Sequence, residues 1–414
     1  MIKNNQNLLN IVIPTKNRSE TLKYAVSTIL NQKYKNLRII ISDNNSTDKT
    51  QNIIKEFNDR RIIYFHHKKN LTMRENWEFA LSKVEKGYVT IMGDDDGFCE
   101  NCFSKINQII NQKKSEIISW TTTSYFWPIN QNQSYLEFSI HTKQEEIIYS
   151  NKKLKNILDM LEIYSDGPMI YNSFLSVDLV EKIKKKQNNL FFLHGIPDIS
   201  SLFSILLNSE TYLRINYPIG IAGSSKTSNG SILKNNKNNF EDIKNNLKQL
   251  NVTENIVPSY YFTTLYPYYE FSKIYSSIEE YYPINYFNLT SRVIEELKIW
   301  NNEDYHKFYN SFLFYLKNEF KRILITQKIK ILFSNFYIQS IDFYVSKKIQ
   351  DIKNENSNIL KVSKILPKIY NSKKNEKLTL RKKTIKVLKI SGFYGIFYFI
   401  KNLFVIIRVL RDIK

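Results

Sequence analysis

Four times in the first hundred residues a short apolar run breaks off into a polar loop, and helical spacing fills the gaps between the runs. The runs are Asn10-Ile11-Val12-Ile13, Leu37 to Ser42, Ile62 to Phe65 and Tyr88 to Met92. Ala25, Ile29 and Leu30 give one helix its apolar face, and Ile53, Ile54 and Phe57 give another. Alternation of this kind predicts a mostly parallel, three-layer α/β sheet. Such sheets bind ligands outside the carboxyl ends of their strands, which directs attention to the loops.

The fourth run delivers Gly93-Asp94-Asp95-Asp96-Gly97. Three adjacent carboxylates repel one another unless a cation neutralises them. Oxygen-only ligands suit Mg²⁺ or Mn²⁺, which usually take further ligands from water and substrate phosphates. The bland alternative is a solvated acidic turn. The other loops decide between the two readings. The first is Pro14-Thr15-Lys16-Asn17-Arg18 and the second is Asp43-Asn44-Asn45-Ser46-Thr47-Asp48, while Asn70, Arg74 and Asn76 open a helix before the fourth run. Asp43 can accept from the imide N–H of uracil, a donor that cytosine lacks, and the Arg74 fork can neutralise phosphate. Asp43 in an Asx turn or helix cap and Arg74 as a solvated first-turn residue are the competing readings. No GxGxxG or Walker A segment competes for phosphate.

In this order and spacing, the IVIPTKNR, ISDNNSTD, KKNLTMRENW and GYVTIMGDDDG segments resemble the nucleotide-binding half of a family 2 glycosyltransferase with the GT-A fold, over residues 9 to about 125. The resemblance implies that Thr15, beside Pro14, and Asp43 contact uridine, with Asn17, Arg18 and Asn70 in the same nucleotide-sugar pocket. It implies that Arg74 approaches the base or the diphosphate. Within the acidic motif it implies Asp94 and Asp95 on the nucleotide-sugar side, Asp95 at the ribose, and Asp96 on the metal.

A second constellation comprises Asp166-Gly167-Pro168-Met169-Ile170-Tyr171, His194-Gly195-Ile196-Pro197-Asp198 and Gly223-Ser224-Ser225-Lys226-Thr227-Ser228-Asn229-Gly230. It resembles the second half of a bacterial surface-polysaccharide subgroup of that family, with Ser200 where an aromatic often stands. Asp198, at the mouth of an apolar helical run, is a candidate general base for an acceptor hydroxyl, or a helix N-cap. Tyr171, His194 and Ser228 are candidate acceptor-pocket residues, although a His beside Phe191, Phe192 and Leu193 also reads as a half-buried packing residue. His66 and His67 lack the i, i+4 spacing of a helical metal pair and read as structural.

At 414 residues the chain is long for one domain. The α/β alternation ends at the polar run Lys234 to Asn239, so the expected division is a GT-A domain over 1–235 and a mostly α-helical C-terminal domain over 236–414. The helical patterns there are Val257 to Ser277, Asn288 to Trp300 and Tyr305 to Ile325. Cys99 and Cys102 have no second pair and read as reduced packing residues. Residues 361–414 hold 15 Lys or Arg against Glu376 and Asp412, a net +13 of the chain's +21. Arg381-Lys382-Lys383 precedes the apolar-aromatic stretch Ile390 to Ile400, too short without charge to span a bilayer but suited to an anionic membrane surface. A helix packed on its own domain with a solvated basic face is the alternative. No recognised motif accompanies the charge to suggest nucleic acid, and the first ten residues lack a signal-peptide core.

These features together lead us to expect an inverting, Mn²⁺- or Mg²⁺-dependent enzyme moving a sugar from a UDP-sugar to a glycan or lipid-linked glycan acceptor. It would work in the cytoplasm, peripheral on the inner face of the membrane. A nucleotidyltransferase would instead release pyrophosphate, and a non-catalytic assembly protein with a vestigial nucleotide fold would not bind UDP.

Overall fold

The computed structural model describes residues 6–128, 134–141, 143–226, 228, 240–249, 257–326, 346–352, 358–360, 362–364, 366–368 and 370–371. The chain forms two compact units. One comprises Met1–Leu154, Ser165–Ser231 and Val345–Ser372, and the other Lys155–Tyr164, Ile232–Tyr344 and Lys373–Lys414.

The first unit opens with β1 (Leu9–Thr15), α1 (Ser19–Leu30), β2 (Leu37–Asp43), α2 (Thr50–Glu56), β3 (Ile62–His66), α3 (Met73–Leu81) and β4 (Tyr88–Ile91). Leu9 to Ile13 are fully buried, as expected of a strand covered on both faces. After β5 (Gly97–Phe98), α4 (Cys102–Lys113) and β6 (Ile117–Trp120) come β7 (Thr123–Phe126), β8 (Ser134–Ile140) and β9 (Glu145–Tyr149). Then follow α5 (Ser150–Leu158), β10 (Ser173–Ser176), α6 (Val177–Lys186), α7 (Pro197–Leu206), β11 (Thr211–Ile215), β12 (Gly220–Ser224) and β13 (Ser346–Ile352). Among the described residues, one sheet runs β3-β2-β1-β4-β10-β6-β11-β9 and a second runs β13-β8-β7-β12-β5. The first four strands of the larger sheet are parallel, and β10 runs antiparallel to both its neighbours. This is the expected α/β architecture, parallel over β3-β2-β1-β4 and mixed beyond.

Register brings the loops to one edge. Thr15 is paired with Asp43, and Asp43 with His66, so the last residues of β1, β2 and β3 stand side by side. Met92 N–H donates to Val12 O at 2.8 Å, extending the β1–β4 pairing to the residue before the acidic motif. Gly87, which turns the chain into β4, has φ +89°, and a Cβ there would lie 2.3 Å from Leu8 O.

The expected single boundary at 235 differs from the observed division. Residues 345–372 return to the first unit because Ile359, Val362, Leu366 and Tyr370 recur at helical spacing and are buried in its hydrophobic core. Residues 155–164 leave for the second unit within α5. That second unit is helical where expected, with helices at Tyr260–Thr263, Leu265–Ile274, Tyr286–Leu297 and Asn302–Thr326. Its interior is aromatic: Phe262 packs edge-on against Tyr315 at 4.8 Å, and the Tyr269 and Tyr315 hydroxyls lie 2.6 Å apart. The run 234–239 and the basic tail 381–414 lie outside the described residues. No helix among the described residues is long and apolar enough to cross a membrane.

Candidate functional site

The first two loops hold each other. Asn17 takes a left-handed φ of 54°, a conformation Asn tolerates better than most residues. Its N–H donates to Ser46 Oγ at 2.8 Å and its Oδ1 accepts Thr47 N–H at 2.8 Å. Asn17 therefore braces one loop on the other. Asp48 accepts from Ser19 N–H (3.0 Å) and Thr50 N–H (2.9 Å), so one carboxylate serves the starts of α1 and α2. Asp43 is fully buried: Oδ1 accepts Ser46 N–H at 2.9 Å, and Oδ2 lies 2.5 Å from the Tyr64 hydroxyl and 3.3 Å from His66 Nδ1. Thr15 is buried beside it and Pro14 half-buried.

The acidic motif is gripped from several directions. Asp96 accepts Gly93 N–H on Oδ2 (2.9 Å) and Gly223 N–H on Oδ1 (2.7 Å), so both its oxygens are engaged by backbone. Asp95 Oδ2 accepts Ser225 N–H at 3.2 Å, and Asp95 O accepts the Trp127 indole N–H at 3.0 Å. Asp94 lies 3.5 Å from Arg18 Nε, at the entrance to α1. Gly223 is obligatory here, because a Cβ would sit 1.8 Å from Asp95 O. Below the motif, Thr28 Oγ1 accepts Phe98 N–H (3.1 Å) and Gln32 Nε2 donates to Cys99 O (2.9 Å). Cys99 and Cys102 are free and buried, as packing residues should be.

Electrostatics favour a cation. Burial, then the charge of Asp95, pushes Asp94 up to about 7 against the pull of Arg18. The same two causes push Asp96 up to about 8, and burial raises Asp95. An all-oxygen donor set in which like charges resist ionisation fits Mg²⁺ or Mn²⁺. Asp96, the expected ligand, accepts one backbone amide on each oxygen and keeps a second lone pair on each. No group of three His, Cys, Asp or Glu among the described residues is arranged to hold an ion by itself.

Thr72 and Glu75 form a capping box at the start of α3, which fixes Arg74 in its first turn. Arg74 is half-exposed and makes no ion pair with a described residue. Asn70 is exposed, with its Oδ1 3.4 Å from Asn45 Nδ2.

On the other side of the site, Ile196 occupies the N-cap of α7 and Pro197 its first position, so Asp198 is the second helical residue and not the cap. It is half-buried, and burial raises its pKa, opposed by hydrogen bonds from the Ile199 and Asp198 amides. His194 Nδ1 accepts Ile196 N–H at 3.1 Å, which leaves Nε2 to carry the proton of the neutral ring. Tyr171 shares a small cleft with Asp96, Trp120 and Thr122. Ser228, whose N–H donates to Ser225 O at 3.2 Å, lies three residues beyond the amide that holds Asp95.

Sequence reasoning missed Tyr64, Trp127 and the bracing role of 223–225, and read His66 as structural without pairing it with Asp43. Strand alternation was the available signal for two of them: Tyr64 and His66 share a face of β3, and His66 is the register partner of Asp43.

Residues 10–177 match the family model described as glycosyl transferase family 2. A GalNAc(5)-diNAcBac-PP-undecaprenol beta-1,3-glucosyltransferase of Campylobacter jejuni is 33% identical over 109 residues, 25% of this chain and 35% of that protein. Glycosyltransferase GlyG of Streptococcus pneumoniae is 25% identical over 194 residues, 45% of this chain and 60% of that protein. The UDP-Glc:alpha-D-GlcNAc-diphosphoundecaprenol beta-1,3-glucosyltransferase WfaP of Escherichia coli is 32% identical over 120 residues, 29% of this chain and 46% of that protein. The chain thus spans less than two thirds of each of these relatives.

Proposed function

From the match of residues 10–177 to the family 2 glycosyltransferase model, we propose that this protein is an inverting, metal-dependent glycosyltransferase acting from a UDP-sugar on a hydroxyl of a growing, lipid-linked surface glycan. The observation that carries the reading is the convergence of Thr15, Asp43 and the Asp94–Asp96 motif at the carboxyl edge of parallel strands. Ligands of α/β sheets bind at that edge. Two relatives are named for undecaprenol-linked acceptors and one of them for UDP-Glc, which supports the donor and acceptor classes.

In this reading Asp43 and Thr15 form the floor of the uridine pocket, and Arg74 meets the diphosphate with its donor fork. The Asp94–Asp96 motif would hold the divalent cation, whose chemistry is to neutralise charge on the departing diphosphate. Asp96 also keeps the motif in shape through its two backbone bonds. Asp198 takes the proton from the acceptor hydroxyl as that oxygen attacks the anomeric carbon opposite the diphosphate, and the bond to UDP breaks. Its raised pKa suits a base working near neutrality better than an ordinary solvated carboxylate would.

Asp198→Asn tests the assignment. Loss of the base should lower turnover by about 10²–10⁴-fold while UDP affinity, measured by calorimetry with Mn²⁺, stays within about twofold. Turnover close to wild type would remove Asp198 from the role.

A further inference from the structure

The segment 190–196, which delivers Asp198, has neither helix nor strand. Half of its backbone polar groups are nonetheless held by side chains. Gln187 Nε2 donates to the carbonyls of Leu190 (3.3 Å) and Phe191 (3.2 Å), and Ser204 Oγ donates to Phe191 O (2.7 Å). Ser200 Oγ accepts the N–H groups of Leu193 (2.8 Å) and His194 (3.2 Å). All these partners are near in sequence. Glu78 is not: from α3, its Oε1 accepts both Phe191 N–H and Phe192 N–H at 2.6 Å. Next to it Trp77 packs edge-on against Phe192, ring centroids 5.7 Å apart.

Glu78 lies one helical turn beyond Arg74 on α3. Burying a carboxylate is costly unless its oxygens are bonded, and here a single oxygen collects two short bonds from adjacent amides. Burial is the leading influence on its pKa and raises it, with the two amides pulling the other way. We propose that Glu78 is a positioning residue, resting on the glycosyltransferase reading above: it locks the loop that presents His194 and Asp198 to the helix that presents Arg74, fixing the base relative to the donor.

The two bonds to one oxygen give a discriminating test. In Glu78→Gln the amide oxygen can occupy the same place and accept both N–H groups, whereas Glu78→Ala leaves both without a partner. With the full chain and the UDP-sugar that supports the fastest UDP release, Glu78→Ala should lower kcat about 10–100-fold through misplacement of the base. Donor KM and Mn²⁺-dependent UDP affinity should stay within about twofold, and the Phe191 and Phe192 amides should lose hydrogen-exchange protection. Glu78→Gln should restore kcat to within about threefold of wild type. Should the Ala variant not fold, Glu78→Asp, one methylene shorter, should show the same split in smaller measure.

Unchanged kcat with exchanging amides would overturn the proposal, as would a Gln variant as impaired as the Ala variant. Equal losses in UDP affinity and kcat would reduce Glu78 to general scaffolding. A wild-type protein that binds no UDP with Mn²⁺ would sink the glycosyltransferase reading itself, and the positioning role with it, before any variant is compared.

Discussion

The two sides of the candidate site are built in opposite ways. The acidic motif is held by residues remote in sequence: Arg18 and Thr28 from the first thirty residues, and Gly223 and Ser225 from beyond 220. Behind it Glu100 N–H donates to Ser363 O at 3.0 Å, and Ile359 packs where a Cβ on Gly97 would lie. The acceptor-side loop is held mainly by close neighbours, Gln187, Ser200 and Ser204, with Glu78 as its tie to α3. A site assembled from distant segments exists only when the whole unit is folded. A locally braced loop can keep its shape while its placement changes, so damage to the two sides should read out differently.

The most severe break of this contrast is deletion of residues 345–414. Ile359, Val362 and Leu366 are fully buried, and burying three such side chains contributes roughly 5–9 kcal/mol. That is comparable with the whole stability of a typical domain. The truncated chain should lose its cooperative thermal transition and its Mn²⁺-dependent UDP binding together. A truncated protein that melts cooperatively and binds UDP would show that the acidic side does not depend on the returning segment.

A narrower break is Gly223→Ala. The added methyl cannot share space with Asp95 O, so β12 and the acidic motif must move apart, a strain that typically costs about 1–3 kcal/mol. UDP affinity with Mn²⁺ should fall at least about tenfold, while the exchange protection of Phe191 and Phe192 on the acceptor side should persist. Loss of both would show that the two sides are not independently braced.

The same contrast explains what could be read from the sequence. The strand ends and their loops were legible because parallel buried strands and the acidic cluster announce themselves locally, and Thr15, Asp43 and Asp94 stand at the expected edge. The surroundings of Asp96 were not legible: the resemblance put it on the metal, and nothing local shows that Gly223, 127 residues away, donates its N–H to one of its oxygens. The return of 358–371 was hidden for a related reason. Ile359, Val362, Leu366 and Tyr370 recur at helical spacing, but nothing in that spacing says which unit buries them. Asp198 was placed at a helix mouth correctly, yet with Ile196 at the cap and Pro197 at the first helical position it stands two residues inward from the cap.

The smallest expected effect concerns pH, and it sharpens the comparison because it isolates charge from packing. Without a cation, Asp94 and Asp96 in the folded protein hold protons up to about 7 and 8, against an ordinary value of 3.8. At these two sites the folded state therefore binds more protons than the unfolded chain throughout that interval, and their contribution to stability falls as pH rises from about 4 to about 8. Mn²⁺ should offset that loss increasingly with pH, since its ligands must be ionised to bind it. Thermal midpoints of the full chain at pH 5 and pH 8, with and without Mn²⁺, measure both trends. Asp198 is also raised by burial and contributes a slope of the same sign. Asn variants apportion the two sides: Asp94→Asn should flatten the metal-free slope and abolish the Mn²⁺ effect, whereas Asp198→Asn should alter the slope and leave the Mn²⁺ effect intact. If Asp198→Asn removes the response to Mn²⁺, the cation belongs to the acceptor side and the division drawn here is wrong.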